Sequence, residues 1–305
     1  MRRREFIHKG VSAGLMTGIA LGFGKLDELM AVPSTDRPVD LVAVKGGEPD
    51  VMFDKAIAAL GGMSLYVKKG QKVVVKPNIG WDKKPEMGAN TNPLLVKRIV
   101  EQCFGAGASE VYVFDYTCND WRKCYQNSGI REAVEKAGGK MVPANDESYY
   151  VEVKIPEGKK LKNEKVHRLV LETDVFINVP VLKHHGGGVL SIAMKNLMGI
   201  AWGRGQWHKI DLQQCIADFS TYHKSTLNVI DAYRVMKTHG PQGVSENDTV
   251  LMKSLLISPN AVIADAAAAK LWGMEPEKVP HIRIAGEMGI GTIDLEKINI
   301  VKIKV

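Results

Sequence analysis

Two periods of apolar residues alternate along this chain, one helical and one extended. Val51 to Leu60 has helical spacing and stops at Gly61-Gly62. Lys72 to Val75 is a short apolar strand broken by Pro77, and Asn92-Pro93 then opens the helix LLVKRIVEQCF with a cap residue and a proline at the first helical position. Gly105 and Gly107 close that helix. Val111 to Phe114 predicts a strand, Arg131 to Ala137 a helix and Met141-Val142 a further strand. Thr35 to Gly47 reads as a linker and first strand, while Leu227 to Ile230, Leu255 to Ile257 and Ile298 to Val305 supply later ones. Repeated strand-helix-strand units with short gaps predict an α/β fold with a doubly wound, mostly parallel sheet. Tyr149 to Leu171 breaks the rhythm: two alternating runs flank a charged turn at Pro156 to Lys165, which predicts a β-hairpin inserted on the sheet's edge. Residues 32–305 form one such domain.

The densest chemistry lies in DVFINVPVLKHHGGGVLSIAMKNLMGIAWGRGQWH, from Asp174 to His208. Val175 to Asn178 predicts a buried strand ending before Pro180, which cannot donate to a central ladder. Lys183, His184 and His185 follow, then Gly186, Gly187 and Gly188, whose backbone is free to take positive φ or to approach a ligand closely. From Val189 the apolar positions Leu190, Ala193, Met194, Leu197 and Met198 predict an amphipathic helix, with Lys195 and Asn196 at the edge of its apolar face. No Gly-Lys-Ser/Thr follows the glycines, so this is not a Walker loop.

In open parallel sheets, ligands bind beyond the carboxyl ends of the strands. Each predicted strand runs into a polar group there: Lys76 and Asn78, Asp115, Asn178 with Lys183, and Asp231. Lys76, Lys183 and Lys195 predict a positive pocket for carboxylate or phosphate, and desolvation lowers the pKa of such lysines into the acid/base range. His185 is the candidate for proton transfer near neutrality.

Composition narrows the classes of function. The chain has 305 residues, 45% hydrophobic and 25% charged, which is ordinary for a globular protein. Its net charge of +7 suits an anionic ligand or a membrane surface, but it lacks the clustered basic stripe and interleaved aromatics of a nucleic-acid binder. Arg3-Arg4-Glu5-Phe6-Ile7 with the weakly apolar Val11 to Phe23 fits a twin-arginine export signal over residues 1–31, which places the protein in the periplasm or on the outer face of the cytoplasmic membrane. That route carries folded proteins, often with a cofactor inserted. His184, His185, His208, His239, Asp115 and Asp231 are imidazole and carboxylate donors of the kind used by nickel, zinc and iron. Cys118 and Cys124 bracket a loop after Asp115; the readings are a disulfide first, free thiols second and metal or cluster ligation third. Cys103 and Cys215 read as core.

NVPVLKHH, MKNLMG and His208, with VVVKPN near residue 76, GPQG near residue 241, and VIADAAAAKLWG followed by GIGTID, together resemble the family called domain of unknown function 362. The likeness covers nearly all of the chain after residue 40. Some members carry a ferredoxin-like module, but the four cysteines here lack its close C-x-x-C series. A second likeness is to nickel-pincer lactate racemases, through His185, Gly186 to Gly188, Lys195, Gly199 and His208. It implies Lys195 as the tether of the pincer cofactor, His208 as a nickel ligand and His185 as an acid/base group. The sequence around Lys195 departs from the racemases.

Two classes of function follow. One is an exported enzyme acting on a small anionic molecule, with Lys195 and His185 in acid/base or cofactor roles and a metal, nickel or iron, as its cofactor. The other is a non-catalytic protein that handles a metal or iron-sulfur cluster and partners membrane redox proteins. The sequence leaves the oligomeric state open.

Overall fold

The structure is a computed structural model that describes residues 38–305. The export-signal reading of residues 1–31 therefore lies outside the described residues.

Twelve strands form among these residues: β1 (Leu41–Lys45), β2 (Lys72–Pro77), β3 (Glu110–Val113), β4 (Lys140–Met141), β5 (Tyr150–Lys154), β6 (Asn163–His167), β7 (Val175–Val179), β8 (Val181–His185), β9 (Val189–Ser191), β10 (Leu227–Met236), β11 (Thr249–Ser258) and β12 (Ile300–Lys304). The main sheet runs β12-β1-β11-β10-β7-β2-β3-β4, with β8 and β9 attached beside β10. Pairing is parallel from β10 through β7, β2, β3 and β4 and again between β1 and β12, so the sheet is mostly parallel as the alternation predicts. The long strand β11 breaks that order, pairing antiparallel with both β1 and β10.

Strict alternation along each strand divides the core between the two faces. Val73, Val75, Val175 and Ile177 point toward the helices Pro49–Ala59 and Pro93–Gly105. Val74, Phe176 and Leu182 point toward the helices Leu212–Tyr222 and Ala261–Trp272. The helix at residue 93 starts as its sequence dictates: Asn92 accepts the Leu94 N–H at 2.9 Å and Pro93 takes the first turn.

Three local expectations are corrected. The chain does not leave the sheet at Pro180, because β8 follows at once and pairs with β10, so Lys183, His184 and His185 lie on a strand. Val189 begins β9, the return arm of a β8-β9 hairpin with Gly186 to Gly188 at its tip; the helix starts only at Ala193. The β5-β6 hairpin forms a separate two-stranded sheet and does not extend the main one. It packs across the segment after Lys195 through a Val166–Ala201 bridge, and onto the end of β3 through the stacking of His167 on Phe114 at 4.1 Å. Among the described residues no helix is long and apolar enough to cross a membrane.

Candidate functional site

A cavity of about 600 Å³ opens where β2, β3 and β8 end, roofed by residues 195–208. Lys76, Asn78, Asp115, Lys183, His185, Lys195, Asn196 and His208 of the predicted set line it. Crossover connections explain the convergence: the parallel strands β2 and β3 put their carboxyl ends on the same side of the sheet.

At its floor the Lys76 amine and Asp115 carboxylate form an ion pair at 2.9 Å, with side chains only 1% and 3% exposed. Burial pulls the Lys76 amine below its ordinary range, and the Asp115 charge opposes that shift. Asp115 also accepts the Ile79 N–H at 2.7 Å. The Asn196 amide oxygen accepts from Lys76 at 2.9 Å and from Asn78 at 3.0 Å, while its nitrogen donates to Asn178 at 2.8 Å. Lys183 donates to Asn78 Oδ1 at 3.0 Å and to the Ala89 carbonyl, so its ammonium protons are largely spent on protein acceptors. Burial lowers Lys183 to about 7.

Lys195 differs from both. Its amine has one hydrogen-bond partner among the described residues, the Met198 thioether at 3.4 Å. Burial first, and the Arg204 charge next, lower it to about 8. Gly188 makes room for the stem: a β-carbon there would lie 2.7 Å from Lys195 Cε. Arg204 was not legible as a site residue, yet it lines the same cavity. Its guanidinium lies 4.2 Å over the Tyr116 ring, which stacks on Trp202 at 5.0 Å, and one nitrogen donates to the Thr117 carbonyl at 3.0 Å. The signal available in the sequence was WGRG, a cation held between two glycines.

Several predicted residues take other roles. Asn178 is fully buried behind the cavity, donating to Asn228 and to the Ala193 carbonyl, and so braces Asn196 rather than lining the cavity. Asp231 lies in mid-strand, not at a strand end, because β10 continues to Met236. It accepts the N–H groups of Asn92 at 2.7 Å and Tyr233 at 3.0 Å, and burial raises it to about 6. Gly186, Gly187 and Gly188 are all outside the cavity lining, and positive φ falls on Val189, at 64°, instead of on the glycines. His185 accepts the Gly187 and Gly188 N–H groups through Nδ1 at 3.1 and 2.9 Å. Burial first, with the Lys195 and Lys183 charges next, pushes it down to about 3, which favours the neutral ring near pH 7. His208 is also lowered, chiefly by burial.

All four cysteines are free thiols, with Cys118 exposed at the cavity and Cys124 buried on the helix Trp121–Asn127, which overturns the expected disulfide. Among the described residues no three His, Cys, Asp or Glu side chains converge as a metal site. The donor set therefore does not fit a metal or cluster held by protein ligands alone. Four basic side chains, Lys76, Lys183, Lys195 and Arg204, line the cavity with one carboxylate, Asp115.

The family model described as Domain of unknown function (DUF362) matches residues 73–270. Among curated proteins the chain is similar to the thylakoid-associated protein sll1697 of Synechocystis sp., with 21% identity over 239 residues, 76% of this chain and 72% of that protein. Among solved structures it is similar to a protein from Thermotoga maritima, with a TM-score of 0.43, 11% identity and coverage of 79% of this chain and 60% of that one. It is also similar to the lactate racemase apoprotein from Thermoanaerobacterium thermosaccharolyticum, with a TM-score of 0.41, 13% identity and coverage of 74% and 56%. The chain thus spans less than two thirds of either solved structure.

Proposed function

The chain belongs to the DUF362 family, and from the chemistry of its cavity we propose that it is an enzyme acting on a small carboxylate or phosphate-bearing molecule. Lys195 is its acid/base group and Arg204 its anion anchor. The observation that carries this reading is the contrast among the amines: Lys76 and Lys183 are held by protein acceptors, whereas among the described residues Lys195 has only a thioether.

A bound anion would take the guanidinium of Arg204 as its planar partner, since that group donates to one carbonyl and stacks on Tyr116. The same anion would complete the hydrogen bonding of protonated Lys195. With an amine near 8, Lys195 holds a usable fraction of free base at neutral pH and accepts a proton from a bound substrate. Asn78 and Asn196 fix the floor on which the substrate rests. His185, being neutral, contributes a hydrogen bond through its second ring nitrogen and no charge. Export by the twin-arginine route remains part of this proposal and rests on Arg3-Arg4 and the apolar run after them.

Titration calorimetry of the full chain with inorganic phosphate and with malonate at pH 6.5 tests the reading. Saturable binding is expected, weakened at least about ten-fold by Lys195→Gln and by Arg204→Gln, the scale of a lost charge-assisted hydrogen bond. No heat with either anion, or equal binding by both variants, overturns it.

A further inference from the structure

The segment VIADAAAAKLWG places an acidic residue in a helix that is otherwise almost wholly apolar. Asp265 is completely buried in the helix Ala261–Trp272, surrounded along the chain by Ala264, Ala266, Ala267, Ala268 and Ala269, all with no exposure. It belongs to none of the cavity lining. Its carboxylate instead reaches the start of the four-residue turn Ala193–Asn196: Oδ1 accepts the Ala193 N–H at 2.6 Å and Oδ2 the Met194 N–H at 3.0 Å. Those are the first two donors of the turn, and its own cap residue, Ile192, has no side chain able to satisfy them. Asp265 therefore caps, from a distant helix, the turn that presents Lys195 and Asn196 to the cavity.

A carboxylate is a costly choice for that task. An apolar site penalises the charge unless a partner offsets it, and among the described residues Asp265 has no cationic partner. Its charge is held by two backbone N–H groups, and burial raises its pKa to about 7. On the elements packed against its helix, Arg234 bonds Thr249, Lys253 pairs with Glu48 and Arg283 with Glu287. The charged residues of the 3-10 turns Pro276–Lys278 and Leu295–Lys297 are exposed. The other titratable groups on the same elements include the half-buried Lys195 and the buried Asp231 and His281; Asp231 is engaged with Asn92 and Tyr233, and His281 with Gln213. None of these competes with Ala193 and Met194 for the carboxylate.

We infer that Asp265 is a positioning residue that gates the Lys195 site by pH: ionised, it clamps both N–H groups and fixes the turn; protonated, it releases one of them and loosens the amine and Asn196. Protonation converts one of the two acceptor oxygens into an O–H donor, which cannot receive an N–H bond in the same geometry. The gate regulates the site of the proposed enzyme and so rests on that reading of Lys195.

Amide hydrogen exchange of the unsubstituted full chain between pH 5.5 and 8.5, corrected for the intrinsic pH dependence, reads the clamp without any ligand. Protection of the Ala193 and Met194 amides is expected to rise at least ten-fold across a single transition near neutrality. In Asp265→Asn that transition disappears. The pH profile of Lys195 acylation by acetic anhydride, mapped by mass spectrometry, should lose its lower inflection in the same variant while keeping the one due to the amine. Protection that stays flat with pH in the unsubstituted chain overturns the gate, whether or not the variant folds. Failure of phosphate to bind would instead sink the enzymatic reading and leave the amide transition in place.

Discussion

Gly199 and Asp115 lie so close that a β-carbon on residue 199 would stand 1.8 Å from Asp115 Oδ1 and 2.5 Å from the Lys76 amine. The backbone at 199 also accepts the Tyr116 N–H at 3.0 Å, which stitches the roof of the cavity to the end of β3. The glycine is thus a condition for the buried Lys76–Asp115 pair.

Gly199→Ala should force that pair apart. Overpacking alone costs about 1–3 kcal/mol, and strain on a buried ion pair adds to it. Urea unfolding should show a midpoint clearly below that of the parent chain; an unchanged midpoint would mean that the roof shifts freely and that the contact is slack.

Thiol titration distinguishes the cysteine states. Cys118 is exposed whereas Cys103, Cys124 and Cys215 are buried. One fast-reacting thiol is expected in the native protein and four after denaturation without reductant. Two missing thiols on denaturation would restore the Cys118–Cys124 disulfide.

Stability should rise from pH 7 to pH 9. Lys183 is lowered to about 7 and Lys195 and Lys237 to about 8, from an ordinary value of 10.5. Over this window the unfolded chain keeps these protons and the folded chain sheds them, so the unfolded state binds more protons and raising the pH favours folding. Asp265, raised to about 7, acts in the opposite direction only up to its own transition, since the folded state holds that proton while the unfolded state does not. A urea midpoint that falls between pH 7 and 9 would contradict the lowered amines.

Much of the site was legible because a parallel sheet delivers its strand ends to one edge: VVVKPN and VFDY announce Lys76, Asn78 and Asp115 from strand length and polarity alone. Asp231 looked equivalent, but the sequence does not reveal that β10 runs on past it, or that its carboxylate faces Asn92. The glycine run looked like a ligand-contacting loop leading into a helix at Val189; a hairpin with β9 was the better use of the β-prone Val189 and Leu190. Arg204 escaped notice, and Gly199 was read only as part of a motif, because their roles depend on contacts across the roof, with Tyr116 in one case and Asp115 in the other, which no local pattern encodes. The low proton affinity of His185 likewise comes from tertiary burial beside two lysines.

The central claim is that Lys195 is a half-buried, anion-facing amine with a lowered pKa. Site-mapped modification by trinitrobenzenesulfonate, itself an anion that reacts with free amines, tests it at pH 7.5 on the full chain. Lys195 should react at least ten-fold faster than an exposed lysine such as Lys159, and excess phosphate should suppress Lys195 alone. A Lys195 rate no greater than that of Lys159, unaffected by phosphate, would contradict the account.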